Sequence, residues 1–215
     1  MERPTEFDNL VHQYPLGSDV IRTSEGGVCL YKVYKNEYTS SNGESAAFSL
    51  TIRRINYNGQ IFGWEHSRLV IPNFTGLRSA CELDPSPFPV YENTDGAVIK
   101  NSLEQRGQHF ENLKDIHCGM YSGPFILAGS STMLNRKELR NARIMIDAEA
   151  FLQYAKAGEL VLLPLDESEL ISQDAGKAIP DWPNLWQYCP DYVMGFHLET
   201  NQWGYFYIFN IEATN

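Results

Sequence analysis

The chain has 215 residues, 43% of them hydrophobic and 13% aromatic, which is enough for a packed core and excludes a disordered chain. Its formal net charge is −10, and residues 147–215 carry most of it, with eleven acidic residues against two lysines. This acidity argues against nucleic acid as the main partner, because phosphate backbones are themselves anionic.

Residues 1–27 are polar and interrupted by glycines, which predicts a poorly ordered lead-in. The sequence MERPTEFDNL has neither the basic nor the apolar segment of a secretory signal, and the four cysteines form no C-x-x-C pair. Apolar runs such as Leu160–Leu165 are far shorter than the roughly 20 residues of a membrane-spanning helix. We therefore expect an intracellular protein, cytoplasmic or nuclear, with reduced cysteines and no membrane partner.

Strand signals follow the lead-in. The β-branched and aromatic run Val28–Tyr34 predicts a strand. Two further strand-like runs flank the pair Asn58-Gly59, which predicts a two-residue type I′ hairpin with Tyr57 opposite Gln60. That alternation places four apolar side chains on one face: Ile55, Tyr57, Phe62 and Trp64. Residues 73–89 contain three prolines and are predicted as a loop.

The longest predicted helix spans about residues 96–114. N-cap oxygens precede it, and apolar residues recur at helical spacing: Ile99, Leu103, Phe110 and Leu113. Gly107, which follows Arg106, lies inside this helix. A glycine there costs about 1 kcal/mol relative to alanine, which indicates that another backbone segment passes close by.

The second half of the chain predicts strands and one short helix. Residues 117–121 and 143–146 are predicted strands, separated by a polar connection over residues 130–141. Asp147 is the predicted N-cap of a helix over 148–157. A closing hairpin follows the acidic loop 166–187, with strands over 192–198 and 203–209, the second beginning at Trp203.

Seven or more short strands with two helices do not alternate as in a doubly wound sheet. We therefore expect an α+β fold, with a curved, mainly antiparallel sheet or partial barrel packed on the 96–114 helix and carrying the 148–157 helix. The expected domain is 28–211, followed by a tail at 212–215.

The sequence contains neither the phosphate-binding loop of a nucleotide-binding protein nor a set of residues with the spacing of metal ligands. The only Gly-Lys pair, Gly176-Lys177, is followed by alanine and lacks the preceding glycine of a phosphate-binding loop. His109, His117 and Cys118 do not have the spacing of metal ligands on one face. We expect no cofactor and no metal.

A catalytic alternative stays open. Cys118 with His117 or His109 could act as nucleophile and base, and Asp147 with Glu149 could form an acid–base pair at a strand end. The same residues can be explained without catalysis. The cysteine and histidine would then be ordinary half-buried residues. Asp147 would cap a helix, and Glu149 would interact favourably with the helix dipole in its first turn.

Two surface features are candidate interaction sites. Trp182, Trp186 and Tyr188 lie among prolines in the acidic loop, where they either face a partner or cover an edge of the core. A basic group could contact an acidic partner, the chain's own acidic tail or only solvent; its members are Arg136, Lys137, Arg140 and Arg143. Self-association through an open sheet edge is a further possibility.

Five segments occur in a recognisable order: RRINYNGQIFGWEHSRLVIPNFTG, FPVY, LEQRGQHFENLKDIHCGMYSG, RIMIDAEAF and YCPDYVMGFHLETNQWGYF. Together, over about residues 28–211, they resemble the uncharacterised domain that precedes the AAA-type ATPase module in many filamentous-fungal proteins. The resemblance implies a non-catalytic interaction, regulatory or substrate-recruiting domain that works with such an ATPase in cis or in trans. No nucleotide-binding or catalytic residue is transferred by it. Because the Walker motifs would follow the closing hairpin, we expect either a fragment, a short relative or a separate ATPase chain. The rival hypothesis is a small hydrolase with a site near His117, Cys118 and Asp147.

Overall fold

The computed structural model describes residues 4–24, 27–41, 44–83, 88–89, 94–129, 136–165 and 185–213. Its contacts define two compact units, the first within Met1–Arg54 and His66–Lys100, the second within Ile55–Glu65 and Asn101–Asn215. Among the described residues, no helix combines the length and the apolar character needed to cross a membrane.

The first unit contains an antiparallel sheet. Its described elements are α1 (Leu10–Gln13), β1 (Asp19–Ser24), β2 (Gly27–Ser41), β3 (Glu44–Tyr57), β4 (Phe62–Pro72) and β5 (Phe88–Pro89). The strands lie in the order β5-β1-β2-β3-β4, and the ends of β3 and β4 nearest their connecting turn belong to the second unit. Strand β1 pairs with β2 from Asp19 opposite Lys32 to Ser24 opposite Gly27.

The expectation of a poorly ordered lead-in is wrong. Phe7 begins a short 3₁₀ turn that leads into α1, and β1 is fully paired with β2. Phe7, Leu10 and Tyr14 recur every three to four residues and are buried with Val20 in the core of the first unit. These few apolar side chains stabilise an otherwise polar segment, because burial of each removes its surface from water.

The second unit contains a curved sheet and two helices. Its elements are α2 (Thr94–Asn112), β6 (His117–Leu127), β7 (Arg136–Ile146), α3 (Ala148–Tyr154), β8 (Leu162–Leu163), β9 (Tyr192–His197), β10 (Gln202–Tyr207) and β11 (Ile211–Ala213). The part of α2 that belongs to this unit begins at Asn101. The strand order is β10-β9-β7-β6-β11, and β10 also pairs with β6. Because this ladder returns to its first strand, the sheet forms a partial barrel. The predicted α+β fold with a mainly antiparallel sheet is confirmed.

Most predicted elements are found with shifted ends. Helix α2 begins and ends two residues before the predicted 96–114, and α3 ends at Tyr154 rather than at residue 157. The closing hairpin is confirmed as β9 and β10. The polar connection predicted over 130–141 is wrong from Arg136 onward, because β7 starts there and pairs with Ile126 of β6.

The hairpin between β3 and β4 has a different turn from the predicted one. The N–H of Asn58 donates to the carbonyl of Ile61 (3.3 Å), so Asn58 rather than Tyr57 closes the turn, and the predicted pairing with Gln60 is wrong. Of the pair Asn58-Gly59, only Gly59 has a positive φ (95°). The Asn58 side-chain oxygen instead accepts from the N–H groups of Gln60 and Ile61, which forms the turn. The predicted buried face is confirmed for Ile55, Tyr57, Phe62 and Trp64.

Gly107 lies where a second backbone segment passes, as predicted. A Cβ built on Gly107 would be 2.0 Å from the carbonyl oxygen of Trp186, which belongs to a short 3₁₀ turn over Leu185–Tyr188. The neighbouring Arg106 is buried and donates to the carbonyl of Cys189 (3.1 Å). Leu103 and Phe110 on α2, and Leu113 directly after its end, are buried, as their spacing predicts.

Candidate functional site

The main candidate site is a groove of about 670 Å³ in the second unit, called here the α3 groove. It lies where the turn between β3 and β4, the segment before β6 and the first two turns of α3 meet. Its lining residues are Tyr57, Gly59, Asp115, Ile116, Asp147, Ala148, Glu149, Ala150, Gln153 and Tyr154.

Asp147 fixes the start of α3 beside the groove. Its Oδ1 accepts a hydrogen bond from the N–H of Ala150 (2.8 Å), and its own N–H donates to the carbonyl of Met194 in β9 (3.2 Å). The predicted N-cap role of Asp147 is confirmed.

The turn between β3 and β4 packs directly on the first turn of α3. A Cβ on Gly59 would be 2.4 Å from the Cβ of Glu149, so no larger residue fits there without movement. The Gln60 side-chain amide donates to Oε1 of Glu149 (3.0 Å). This contact holds the exposed Glu149 at the wall of the groove.

Tyr57 forms the floor of the groove. Its ring is buried against Phe62, and its hydroxyl donates to the carbonyl of Gly59 (2.8 Å). Burial, followed by the nearby carboxylate of Asp115, raises the pKa of Tyr57, so the phenol stays protonated. Asp115 is exposed and has a φ of 66°, a conformation that Asp and Asn tolerate better than most residues.

Two large apolar side chains stand exposed in the lining of the groove. Ile116 is 66% exposed and Tyr154 is 60% exposed. The Tyr154 ring stacks on Trp203, with 6.4 Å between ring centroids and 22° between planes. Trp203, predicted from the sequence as a structural residue, is half-buried among aromatic side chains of α3 and β9.

The three residues of the catalytic alternative occupy different surroundings. His117 begins β6, and its Nε2 lies 2.6 Å from the carbonyl oxygen of Lys114. Cys118 is exposed on the same strand opposite Met145, and neighbouring strand residues point to opposite faces. Asp147 lines the α3 groove, whereas His117 and Cys118 are not among its lining residues.

Two of the three aromatic residues predicted to face a partner, Trp186 and Tyr188, lie in the described part of the chain, and both pack on the protein itself. The Trp186 indole N–H donates to Glu111 of α2 (2.6 Å), and Tyr188 is buried edge-on against Trp64. Trp64 also donates to the carbonyl of Leu165 (3.3 Å). These contacts correspond to the alternative in which the residues cover an edge of the core. Trp182 and residues 166–184 lie outside the described residues.

The predicted basic group lies on the exposed start of β7. Arg136 is 3.8 Å from Glu138, and Lys137 donates to Gln202 of β10 (2.8 Å). Arg140 is exposed on the same strand. These contacts fit a solvated strand edge, since charged side chains there oppose unwanted strand pairing.

A polar cluster at the turn between β9 and β10 was not predicted. Buried His197 lies with Nδ1 2.5 Å from the Thr200 hydroxyl and Nε2 2.9 Å from Glu199. Glu199 also accepts from the guanidinium of Arg143 (3.0 Å), and this contact lowers the pKa of Glu199. All three partners belong to the closing hairpin or to the adjacent β7, so the cluster fixes the end of the barrel.

The sequence pointed to Asp147 and Glu149 as candidate site residues and to Tyr57 only as part of a buried face, and it missed Asp115, Ile116 and Tyr154. No periodic signal marks the missed residues, because they meet only when the turn between β3 and β4 packs on α3, about 90 positions later in the chain. Within the described part of the chain, no group of three or more His, Cys, Asp or Glu residues could hold a metal ion. None of the four cysteines, all of which the structure describes, forms a disulfide bond.

The described architecture defines a sheet-dominated α+β protein with a partial barrel. Residues 2–92 match a family model described as Domain of unknown function (DUF7025). No curated protein and no solved structure matches the chain. Of the groove-lining residues, Tyr57 and Gly59 lie within the matched span, and the other eight follow it.

Proposed function

We propose that this chain is a non-catalytic protein-interaction domain and that the α3 groove is its docking surface. The observation that carries the proposal is the pairing of two exposed apolar side chains, Ile116 and Tyr154, in one concave site of about 670 Å³. Large exposed apolar side chains grouped in a cleft are typical of interaction sites rather than of ordinary surface.

The polar groups of the groove support binding rather than chemistry. The Asp147 carboxylate caps α3, Glu149 accepts from Gln60, and the protonated Tyr57 hydroxyl donates to Gly59. A nucleophile and its base need a mutual hydrogen bond, and these groups are instead bonded to the scaffold.

The partner class comes from the sequence resemblance. Since the resemblance is to a domain that precedes AAA-type ATPase modules, we propose substrate recruitment or regulation for such an ATPase, in cis or in trans. Hydrogen bonds hold Asp147 and Glu149 in place in the groove, which suits this role because groups already in position cost less to order when a partner segment binds.

The test is a selection of peptides from a random display library on the purified chain. Tyr154→Ala and Ile116→Ser are expected to weaken the selected peptides by about tenfold or more, the usual cost of truncating an anchor residue. Phe209→Ala is the matched control, since Phe209 is 63% exposed in the same unit and outside the groove lining. The proposal fails if no selected peptide is weakened by the groove variants.

A further inference from the structure

We propose that the α3 groove recognises a partner segment in which an arginine or lysine lies next to a large apolar residue. This inference rests on the proposed function and names the chemistry of the partner. It follows from the charges, the exposed aromatic ring and the apolar wall of the groove.

The charged residues that line the groove are all acidic. Among the described residues, the lining includes Asp115, Asp147 and Glu149 and no lysine or arginine. Lys156 lines a second hollow of about 520 Å³, which shares Glu149 with the groove. Among the described lining residues, every charge that a cationic side chain would meet in the α3 groove is therefore negative.

Two of these carboxylates are exposed to solvent. Asp115 interacts with the Tyr57 phenol and raises its pKa, and Oε1 of Glu149 accepts a hydrogen bond from the neutral side-chain amide of Gln60. A neutral donor leaves the negative charge uncompensated. Asp147 contributes its charge to the same site while its Oδ1 caps α3.

Tyr154 provides a surface that suits a cation. One face of its ring stacks on Trp203, and 60% of the residue is exposed. A guanidinium or ammonium group over such a ring gains about 0.5–1 kcal/mol at an exposed site. Because carboxylates lie in the same groove, the ring and the charges favour the same ligand group.

Ile116 defines the second half of the motif. It is 66% exposed and has no charge to satisfy, so a large apolar side chain of the partner would cover it. The volume of about 670 Å³ lies within the roughly 300–1,000 Å³ of typical binding clefts, which admits a short segment rather than a whole domain. The occupant is thus a short segment of another protein.

The probe is a fluorescein-labelled peptide, Gly-Ser-Leu-Arg-Leu-Ser-Gly, with binding followed by fluorescence anisotropy. Its control replaces arginine by citrulline, which keeps the shape and removes the charge. The arginine peptide is expected to bind about tenfold more tightly than the citrulline peptide. This ratio should fall at high salt, because salt screens the attraction between charges. Equal binding of the two peptides overturns the inference.

The protein variants are chosen to keep the fold. Asp115→Asn with Glu149→Gln removes both charges with isosteric amides, and asparagine also tolerates the positive φ at residue 115. This double variant is expected to lose the preference for arginine and to keep the affinity for citrulline. Glu212→Gln, an exposed carboxylate of β11 outside the groove, is the matched control and keeps the preference.

The outcomes separate this inference from the proposed function. If library peptides depend on Tyr154 but carry no basic residue, the groove remains a docking surface and the inference fails. If nothing depends on Tyr154, both fail. Light scattering tests a third outcome, salt-sensitive self-association that Lys137→Glu abolishes. The occupant of the groove would then be the basic start of β7 from a second copy of the chain, and the inference of a partner segment would be overturned.

Discussion

The carbonyl oxygen of Trp186 lies directly against Gly107, only 2.0 Å from where a Cβ would be. One turn later on α2, Glu111 accepts the indole N–H of the same tryptophan (2.6 Å). The segment at Trp186 is therefore held to the helix by this close backbone approach, by the hydrogen bond to Glu111 and by that from Arg106 to the carbonyl of Cys189.

Gly107→Ala is expected to destabilise the second unit by about 1–3 kcal/mol, because the displaced Trp186 backbone costs more than the gain of about 1 kcal/mol in helix propensity. Urea unfolding monitored by tryptophan fluorescence measures this loss, since the three tryptophans that the structure describes, Trp64, Trp186 and Trp203, belong to this unit. Ser102→Ala, exposed on the same helix, is the control and should change stability by less than about 0.5 kcal/mol. A Gly107→Ala variant as stable as the wild type would contradict the close approach.

Asn58→Ala is expected to cost about 1–2 kcal/mol, because the N–H groups of Gln60 and Ile61 lose their shared acceptor. Asn58→Asp keeps an oxygen at the same position and should stay within about 0.5 kcal/mol of the wild type. The same fluorescence measurement compares the two. Equal losses from both substitutions would show that the side-chain oxygen does not hold this turn.

Asp147→Ala is expected to lower stability by about 1 kcal/mol, the usual cost of removing an N-cap oxygen, here the acceptor for Ala150. Asp147→Ser retains a capping oxygen and should recover most of this loss. Thermal unfolding followed by circular dichroism at 222 nm measures both. If serine fails to recover stability, the carboxylate contributes through its charge rather than as a cap.

His66 predicts a pH dependence of the first unit. Burial, and then the positive charge of Arg53, lower the pKa of His66, whose ring packs on Tyr34. A depressed histidine pKa favours the neutral form in the fold, so its contribution to stability is complete above about pH 6.5 and declines as pH falls through the folded-state pKa.

His66→Phe removes the titrating group and keeps a ring beside Tyr34. Between pH 8 and pH 5, the unfolding free energy of the wild type should therefore fall relative to that of the His66→Phe variant. Urea unfolding at several pH values, followed by circular dichroism, measures the difference. A flat His66 difference would contradict the lowered pKa.

Local patterns predicted much of the secondary structure. The periodicity of α2, the cap at Asp147 and the alternation in β9 and β10 are properties of neighbouring residues, so the sequence contains them directly. The glycine at position 107 predicted a close backbone approach for the same reason, since its cost inside a helix requires a local explanation. The turn at Asn58 was harder to predict. Its side-chain oxygen accepts hydrogen bonds from two backbone N–H groups, and Asn58 does not adopt the positive φ of the usual Asn-Gly turn.

The α3 groove could be predicted only in part. Asp147 and Glu149 stood out as acidic residues at a strand end, but nothing near Asp115 or Tyr154 in the sequence connects them to the turn at Gly59. Similarly, the burial of Phe7, Leu10 and Tyr14 depends on strands that come later in the chain, so a polar average hid their role. Contacts between distant segments leave no periodic trace.

By itself, the sequence determined most of the elements: the helix α2 to within two residues, the start of α3 at its Asp147 cap, the closing hairpin, and the strong acidity of residues 147–215. Only the tertiary structure decided which of those elements meet, that Gly59 packs on Glu149, and that Ile116 and Tyr154 are left exposed beside three carboxylates. The physical reason is that hydrogen bonding and side-chain periodicity act between near neighbours, whereas a groove is formed by the packing of segments far apart in the chain.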